Sequence, residues 1–283
     1  MWTVAPTKPP ESLDALTPYN YPFADRVPDV LQRLVDGILR GIPALTPEFG
    51  WTAADVTAKG LRGEDIFGTK VYRPSFDLWG PSKNTLLYIQ DTTLRVTANG
   101  YAVQMRKADV QRAVHDFTTR FTDLLNAYAA RSEYPINSAL EIRVTELDDP
   151  ARVAAPGRAD SPVLSSLSKD EVAVANGWDV ALWLDVLTLP GTPLSSAFYH
   201  ELEQWIVERF SGAAGRPMPE WSKGWGYTAA NGAWTDPTYL ERIRAFYTRG
   251  RASDHTFAWA AATLDRHDRA HLFSNRFLDG LFR

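Results

Sequence analysis

Residues Asn137–Asp149 read NSALEIRVTELDD. Leu140, Ile142 and Val144 alternate with Glu141, Arg143 and Thr145, the period-two pattern of a strand with one apolar and one polar face. Glu141 and Arg143 then share a face, about 7 Å apart along the chain. Such a pair is either a weak ion pair on a solvated face or a charged couple turned towards a functional cavity. The pattern alone leaves both open.

Working outward, the run WDVALWLDVLTLPGTP, Trp178–Pro193, reads as a second strand. In it Asp185 alternates with Asp179, Ala181 and Trp183. A carboxylate inside so apolar a run is uncommon unless it is paired or functional, although a place at the sheet edge also explains it. Upstream, NTLLYIQDTTLRVTANGYAVQMRK reads as strands, with Asn99-Gly100 as a two-residue hairpin turn between Leu94–Thr97 and Tyr101–Met105. EWSKGWGYT, from Glu220, reads as a further strand, with Lys223 between Trp221 and Trp225. A cation there serves either packing or an anionic ligand.

Helical spacing appears between these strands. Val30, Leu31, Leu34, Val35, Ile38 and Leu39 mark a helix that Gly41 stops. A long helix runs from about Asp109 to Arg131, with Val110, Val114, Phe117, Phe121, Leu124, Leu125 and Tyr128 on one stripe. Thr192-Pro193 and Asp236-Pro237 each look like an N-cap followed by a first-turn proline. A last helix is expected from Ser253 towards Asp265. From Asp149 to Gly177 the composition turns to Pro, Ser, Ala, Asp and Gly, which reads as a long surface loop. Helices interleave with hairpin-type strands rather than in strict β-α alternation. The expected class is therefore α+β with a large, mostly antiparallel sheet covered by helices.

The 283 residues carry a net charge of −4 and no basic run, so nucleic acid is not expected as a partner. No apolar stretch reaches the ~18 residues of a membrane span. The N-terminus, MWTVAPTKPPESLDALTPYNYPF, lacks the apolar core of a signal peptide and reads as extended chain beginning in the middle of something larger. Localisation stays open between the cytoplasm and secretion as part of a longer precursor. With no cysteine, disulfides, thiolate catalysis and Cys-based zinc sites are excluded. The 10 Trp, 11 Tyr and 13 Phe suit either an ordinary core or a broad apolar pocket. His267 and His271 are four apart but have no evident third metal ligand, and read as a surface patch at a helix end. No Gly-x-Ser-x-Gly elbow, dinucleotide fingerprint or P-loop is present.

Taken in order, MWTVAPTKP, LEIRVTELD, WDVALWLDVLTLPGTP, FYHELEQW, PEWSKGW and DRHDRAHLFSNRFLDGLF resemble the substrate-binding region of type II cholesterol oxidases, flavoproteins of the vanillyl-alcohol oxidase class with covalent FAD. The resemblance implies that residues 1–283 form one substrate-binding cap with C-terminal helices, with the FAD-binding domain outside this chain, fused or separate. It implies oxidation of a sterol 3β-hydroxyl, hydride transfer to FAD, and O2 as acceptor with H2O2 as product. Glu141 and Arg143 match the family's Glu-x-Arg pair, in which the Arg stabilises negative charge and swings with the Glu to gate oxygen. Asp185 falls where the family usually has Asn; a second carboxylate there is unfavourable unless protonated or paired with Arg143. Asn275 and Lys223 are the expected contacts to the cofactor region. The isolated chain is not expected to hold FAD or turn over sterol. Two other readings stay open: a stand-alone carrier of apolar ligands, and a docking subunit without catalysis.

Overall fold

The two strands singled out above pair with each other. In the computed structural model, β4 (Leu140–Glu146) and β5 (Val180–Thr188) run antiparallel with Glu141 opposite Asp185 and Arg143 opposite Trp183. The structure describes residues 29–46, 48–50, 52, 55, 65–66, 69–70, 96–152, 159–228 and 236–282. Strand readings over residues 84–95 lie outside them. The chain divides into two compact units.

The smaller unit contains α1 (Asp29–Gly41), ending at Gly41 as its sequence signals, and a short pair, β1 (Asp65–Ile66) with β2 (Thr69–Lys70). It also contains a buried polar knot. Asn137 Nδ2 donates to Thr192 Oγ1 at 2.9 Å, and Asn137 Oδ1 accepts from Thr188 Oγ1 at 2.8 Å and from Leu189 N–H at 3.0 Å. Thr192 is therefore engaged in this knot and caps no helix.

The larger unit is built on a four-stranded antiparallel sheet of order β4-β5-β3-β6, where β3 is Thr97–Met105 and β6 is Arg216–Pro219. One face is covered by α2 (Val110–Ala129) and α4 (Ser195–Arg209); the short α3 (Glu171–Asn176), which comes between them in the chain, packs its Ala173 against Ala102 and Ala181. Phe117, Leu124 and Tyr128 of the expected stripe on α2 are buried, and Phe198 of α4 sits 5.7 Å from both Phe121 and Tyr128. Burying such rings is worth roughly 1.5–3 kcal/mol each. Then follow α5 (Pro237–Phe246), capped by Asp236 as expected, α6 (Phe257–His267), and α7 (Arg276–Phe282), which has no counterpart in the pattern reading.

Five expectations are corrected. Asn99-Gly100 is no turn: both lie inside β3, because Asn99 is captured from one face and Gly100 is needed for close packing on the other. Glu220–Thr228 is not a strand; it is a turn-rich segment after β6, joined to β3 by one bridge, Asn99 to Gly224. Helix α4 begins at Ser195, three residues after Thr192, with Leu194 at φ 63 ahead of it. The loop after Asp149 is not all surface, since Ser166, Ser168, Asp170 and Ala173 are buried. Asp170 caps α3 and is salt-bridged to the buried Arg216 and Arg251, and those cations hold the segment down. The last predicted helix starts at Phe257, with Thr256 as its cap and one 3-10 turn, Ser253–His255, before it.

Candidate active site

Antiparallel register puts directly opposed residues on the same face, so two carboxylates, Glu141 and Asp185, face each other across β4 and β5. Like charges so placed repel. Arg143, two residues along, resolves this. Its Nη2 donates to Asp185 Oδ2 at 2.7 Å and to Glu220 Oε2 at 3.1 Å, and its Nε lies 3.2 Å from Glu141 Oε1. The guanidinium carbon also lies 5.3 Å from the centre of the Trp183 ring. One planar cation thus binds three carboxylates, a task that a lysine ammonium could not do with the same geometry.

Glu220 reaches Arg143 because the chain turns sharply after β6. Glu220 N–H donates to Gly100 O at 3.0 Å, Lys223 N–H to Glu220 O at 2.9 Å, and Ser222 Oγ to Glu220 Oε1 at 2.9 Å. Gly100 makes room for the cluster: a Cβ there would lie 2.5 Å from Asp185 Oδ1 and 2.7 Å from Lys223 Cγ. Lys223 is therefore beside Asp185. The two tryptophans that flank it in sequence meet each other, Trp221 and Trp225, at 5.4 Å edge to face. Trp221 continues onto Tyr247, stacked at 5.5 Å, so an aromatic wall borders the charged face.

Asp185 is fully buried, whereas the Arg143 and Glu141 side chains are 44% and 43% exposed. Burial raises the Asp185 pKa, to about 7, and the neighbouring Glu220 carboxyl adds to it; Arg143 and Lys223 only partly oppose them. Burial pulls Arg143 down, but the hydrogen bond to Asp185 and the charges of Glu141, Asp185 and Glu220 outweigh it, so the guanidinium sits above its ordinary value. The face therefore combines a permanent cation with a buried carboxyl that changes charge near neutrality. Asp185 is paired with Arg143, the condition its place in the strand demanded.

On the opposite sheet face another buried carboxyl, Glu203, accepts from Asn99 Nδ2 at 2.9 Å, Tyr101 Oη at 3.0 Å and Gly226 N–H at 3.0 Å. Burial lifts it to about 8 against these donors.

Of the residues singled out from sequence, Glu141, Arg143, Asp185 and Lys223 converge. Asn275 is exposed and caps α7, its Oδ1 accepting from Leu278 N–H at 3.0 Å. His267 ends α6, and His271 follows with φ 54, off that helix. No set of three His, Asp or Glu among the described residues is placed to hold a metal. Glu220 and Glu203 were not found by pattern. Glu220 stands three residues before Lys223, where it looked like the first residue of a strand. Glu203 had a signal: it occupies a core position on α4, between the buried Tyr199 and Ile206.

Solved structures share this α+β arrangement. A solvent-stable cholesterol oxidase matches with a TM-score of 0.76 and 42% identity, over 94% of this chain and 48% of that one. The cholesterol oxidase from B. sterolicum matches with a TM-score of 0.76 and 33% identity, over 95% of this chain and 47% of that one. The chain thus spans about half the length of these relatives. No curated protein matches it. Residues 1–283 match the family model described as cholesterol oxidase, substrate-binding, and the chain belongs to that family.

Proposed function

We propose that this chain is the substrate-binding cap of an FAD-dependent oxidase that takes a sterol or a similarly bulky alcohol. The observation that carries this reading is Arg143, half exposed and held by Glu141, Asp185 and Glu220 beside an aromatic wall. FAD, held mainly by a domain outside this chain, would supply the hydride acceptor and the route by which O2 becomes H2O2. The residues present fit a group that gains negative charge. Arg143 is cationic at every working pH, and Asp185 can shed its own charge by keeping a proton.

In this reading Arg143 stabilises negative charge that develops on the alcohol oxygen or beside it. Asp185 holds or releases one proton near neutrality, as general acid–base chemistry requires. Arg143 holds Glu141 through Nε and Asp185 with Glu220 through Nη2 in a single position; letting go of one set while keeping the other gives the second resting position of an oxygen gate. Lys223 adds a second cation, and Asn275 contacts the cofactor region from α7. Trp221, exposed and backed by the buried Trp225 and Tyr247, lines the approach for the apolar body of the substrate.

The test mixes the chain with a flavin-loaded partner domain and follows sterol-dependent peroxide. Peroxide from the wild type and its loss in Arg143→Ala is the expected result. No peroxide, together with unchanged sterol binding by Arg143→Ala, would leave a carrier. No sterol binding at all would leave a docking subunit.

A further inference from the structure

Glu203 is completely buried, and the groups that hydrogen-bond to it among the described residues are neutral. Tyr101 reaches it from β3, Tyr239 stands behind Tyr101 on α5, and Tyr227 flanks it from the segment after β6; burial raises the pKa of all three. Arg242 on α5 is engaged with the Tyr239 ring at 5.5 Å and with Gln204 Oε1 at 2.9 Å. Two atoms in the network are orphaned: among the described residues, Glu203 Oε1 and Asn99 Oδ1 are buried with no hydrogen-bond partner. Both are acceptors, and they belong to the two groups already joined by the Asn99 Nδ2 to Glu203 Oε2 bond. A buried acceptor without a donor is costly. One proton on Oε1 removes the mismatch, because it turns an acceptor into a donor. Acid and amide can then pair reciprocally, N–H to one carboxyl oxygen and O–H back to the amide oxygen.

What this pair holds is the charged face on the other side of the sheet. On β3, Asn99 points to Glu203 while Gly100, the next residue, faces Asp185 and Lys223. The segment bearing Glu220 and Lys223 is stitched to the same stretch. Gly100 N–H donates to Gly224 O at 3.0 Å, Gly224 N–H to Ala98 O at 3.1 Å, and Gly226 N–H to Glu203 at 3.0 Å. A shift of Asn99 or Gly226 therefore moves Glu220 and Lys223 relative to Asp185.

The geometry points to Glu203 as the positioning residue of the Arg143 face, kept as a neutral acid and locked to Asn99 as a reciprocal acid–amide pair. The inference rests on the reading of that face as the working site. It touches no substrate; it sets where Glu220 and Lys223 stand.

Infrared titration of the full chain in an Asp185→Asn background tests the protonation, since Asp185 then contributes no band. A protonated-carboxyl stretch is expected at neutral pH, lost as pH rises through about 8, and absent from Glu203→Gln. A spectrum at neutral pH in which Glu203→Gln removes only a carboxylate band overturns the acid–amide pair. Positioning is read with Asp185 intact, from the midpoint at which its carboxyl titrates, which depends on the distances to Glu220 and Lys223. Glu203→Gln, which can still donate and accept, keeps that midpoint. Glu203→Leu moves it by roughly half a pH unit or more. An unmoved midpoint in a folded Glu203→Leu overturns the positioning role. If that variant does not fold, the wild type decides: sterol affinity that falls above pH of about 8, and stays flat in Glu203→Gln, supports the role, while equal profiles overturn it. Should the wild type bind no sterol, the reading of function fails while the infrared and midpoint results stand on their own.

Discussion

The sheet of the larger unit carries one completely buried carboxyl on each face, and the two are treated in opposite ways. Asp185 meets Arg143, Lys223 and a second carboxyl, Glu220. Glu203 meets an amide, a tyrosine hydroxyl and the backbone N–H groups of Gly226 and Tyr227, with no cation bonded to it among the described residues. A buried carboxyl beside a cation can be charged or neutral at modest cost, so it can exchange a proton. Among neutral groups only the protonated form is comfortable, so it serves as a fixed strut. The face that borders solvent carries the group that changes charge near pH 7, and the face under α2 and α4 carries the one that keeps its proton to about 8.

Arg143→Ala should lower peroxide formation by the assembled oxidase by about 100-fold or more, the size seen when a preorganised charge stabiliser is removed. Arg143→Lys should restore little, since an ammonium cannot bind three carboxylates in one plane. Turnover close to wild type in either would remove Arg143 from the chemistry. On the helix side the matching lesion is Phe198→Ala. Urea unfolding should show a loss of about 3–5 kcal/mol, because the ring is buried between Phe121 and Tyr128.

Stability against pH sharpens the contrast between the two carboxyls. An acid whose pKa is raised in the folded protein binds more protons folded than unfolded between the two values. Stability therefore falls as pH rises through that window. For Asp185 the window runs from 3.8 to about 7, and for Glu203 from 4.5 to about 8. Thermal melts should show Tm declining across both. Asp185→Asn should make the decline shallower between 3.8 and about 7, leaving in place the part that Glu203 contributes from 4.5 to about 8. A curve unchanged by that substitution would mean that Asp185 keeps its ordinary acidity.

Gly100→Ala should act more locally. Its Cβ would press on Asp185 and Lys223, with a stability cost of roughly 1–3 kcal/mol. Its signature is a displaced Asp185 titration, measured by infrared, with helix content unchanged by circular dichroism. The smallest effect is expected at Arg152 and Glu146, which pair at 3.2 Å but are each 72% exposed. Glu146→Gln should leave Tm and sterol affinity within experimental scatter, as surface pairs usually do.

Much of the sheet was legible because a strand with unlike faces writes a period of two into its own residues. That holds for Leu140–Glu146 and for Val180–Thr188. The helix Val110–Ala129 and the Asp236-Pro237 start were legible for the same local reason, side-chain spacing and a cap. Asn99-Gly100 misled, since its strong preference for a turn was overridden by the bond of Asn99 to Glu203, 104 residues away. EWSKGW misled too: its alternating aromatics mimic a strand, but its glycines and its backbone bonds to β3 make a turn. At the site, Glu141, Arg143, Asp185 and Lys223 stood out as charges in apolar or aromatic runs. Glu220 gave no such sign, for its importance comes from the partner it meets.

By itself the sequence determined the class of fold, the two strands with their polar faces, and the presence of an Arg and carboxylates on those faces. These follow from neighbours along the chain, through spacing and caps. Only the tertiary structure decided that Arg143 joins Asp185, 42 residues on, and Glu220, 77 residues on. It alone decided that Asp185 and Glu203 are buried deeply enough to hold protons near neutrality. Desolvation and charge pairing depend on which surfaces close over a group, and those surfaces come from segments far apart in the chain.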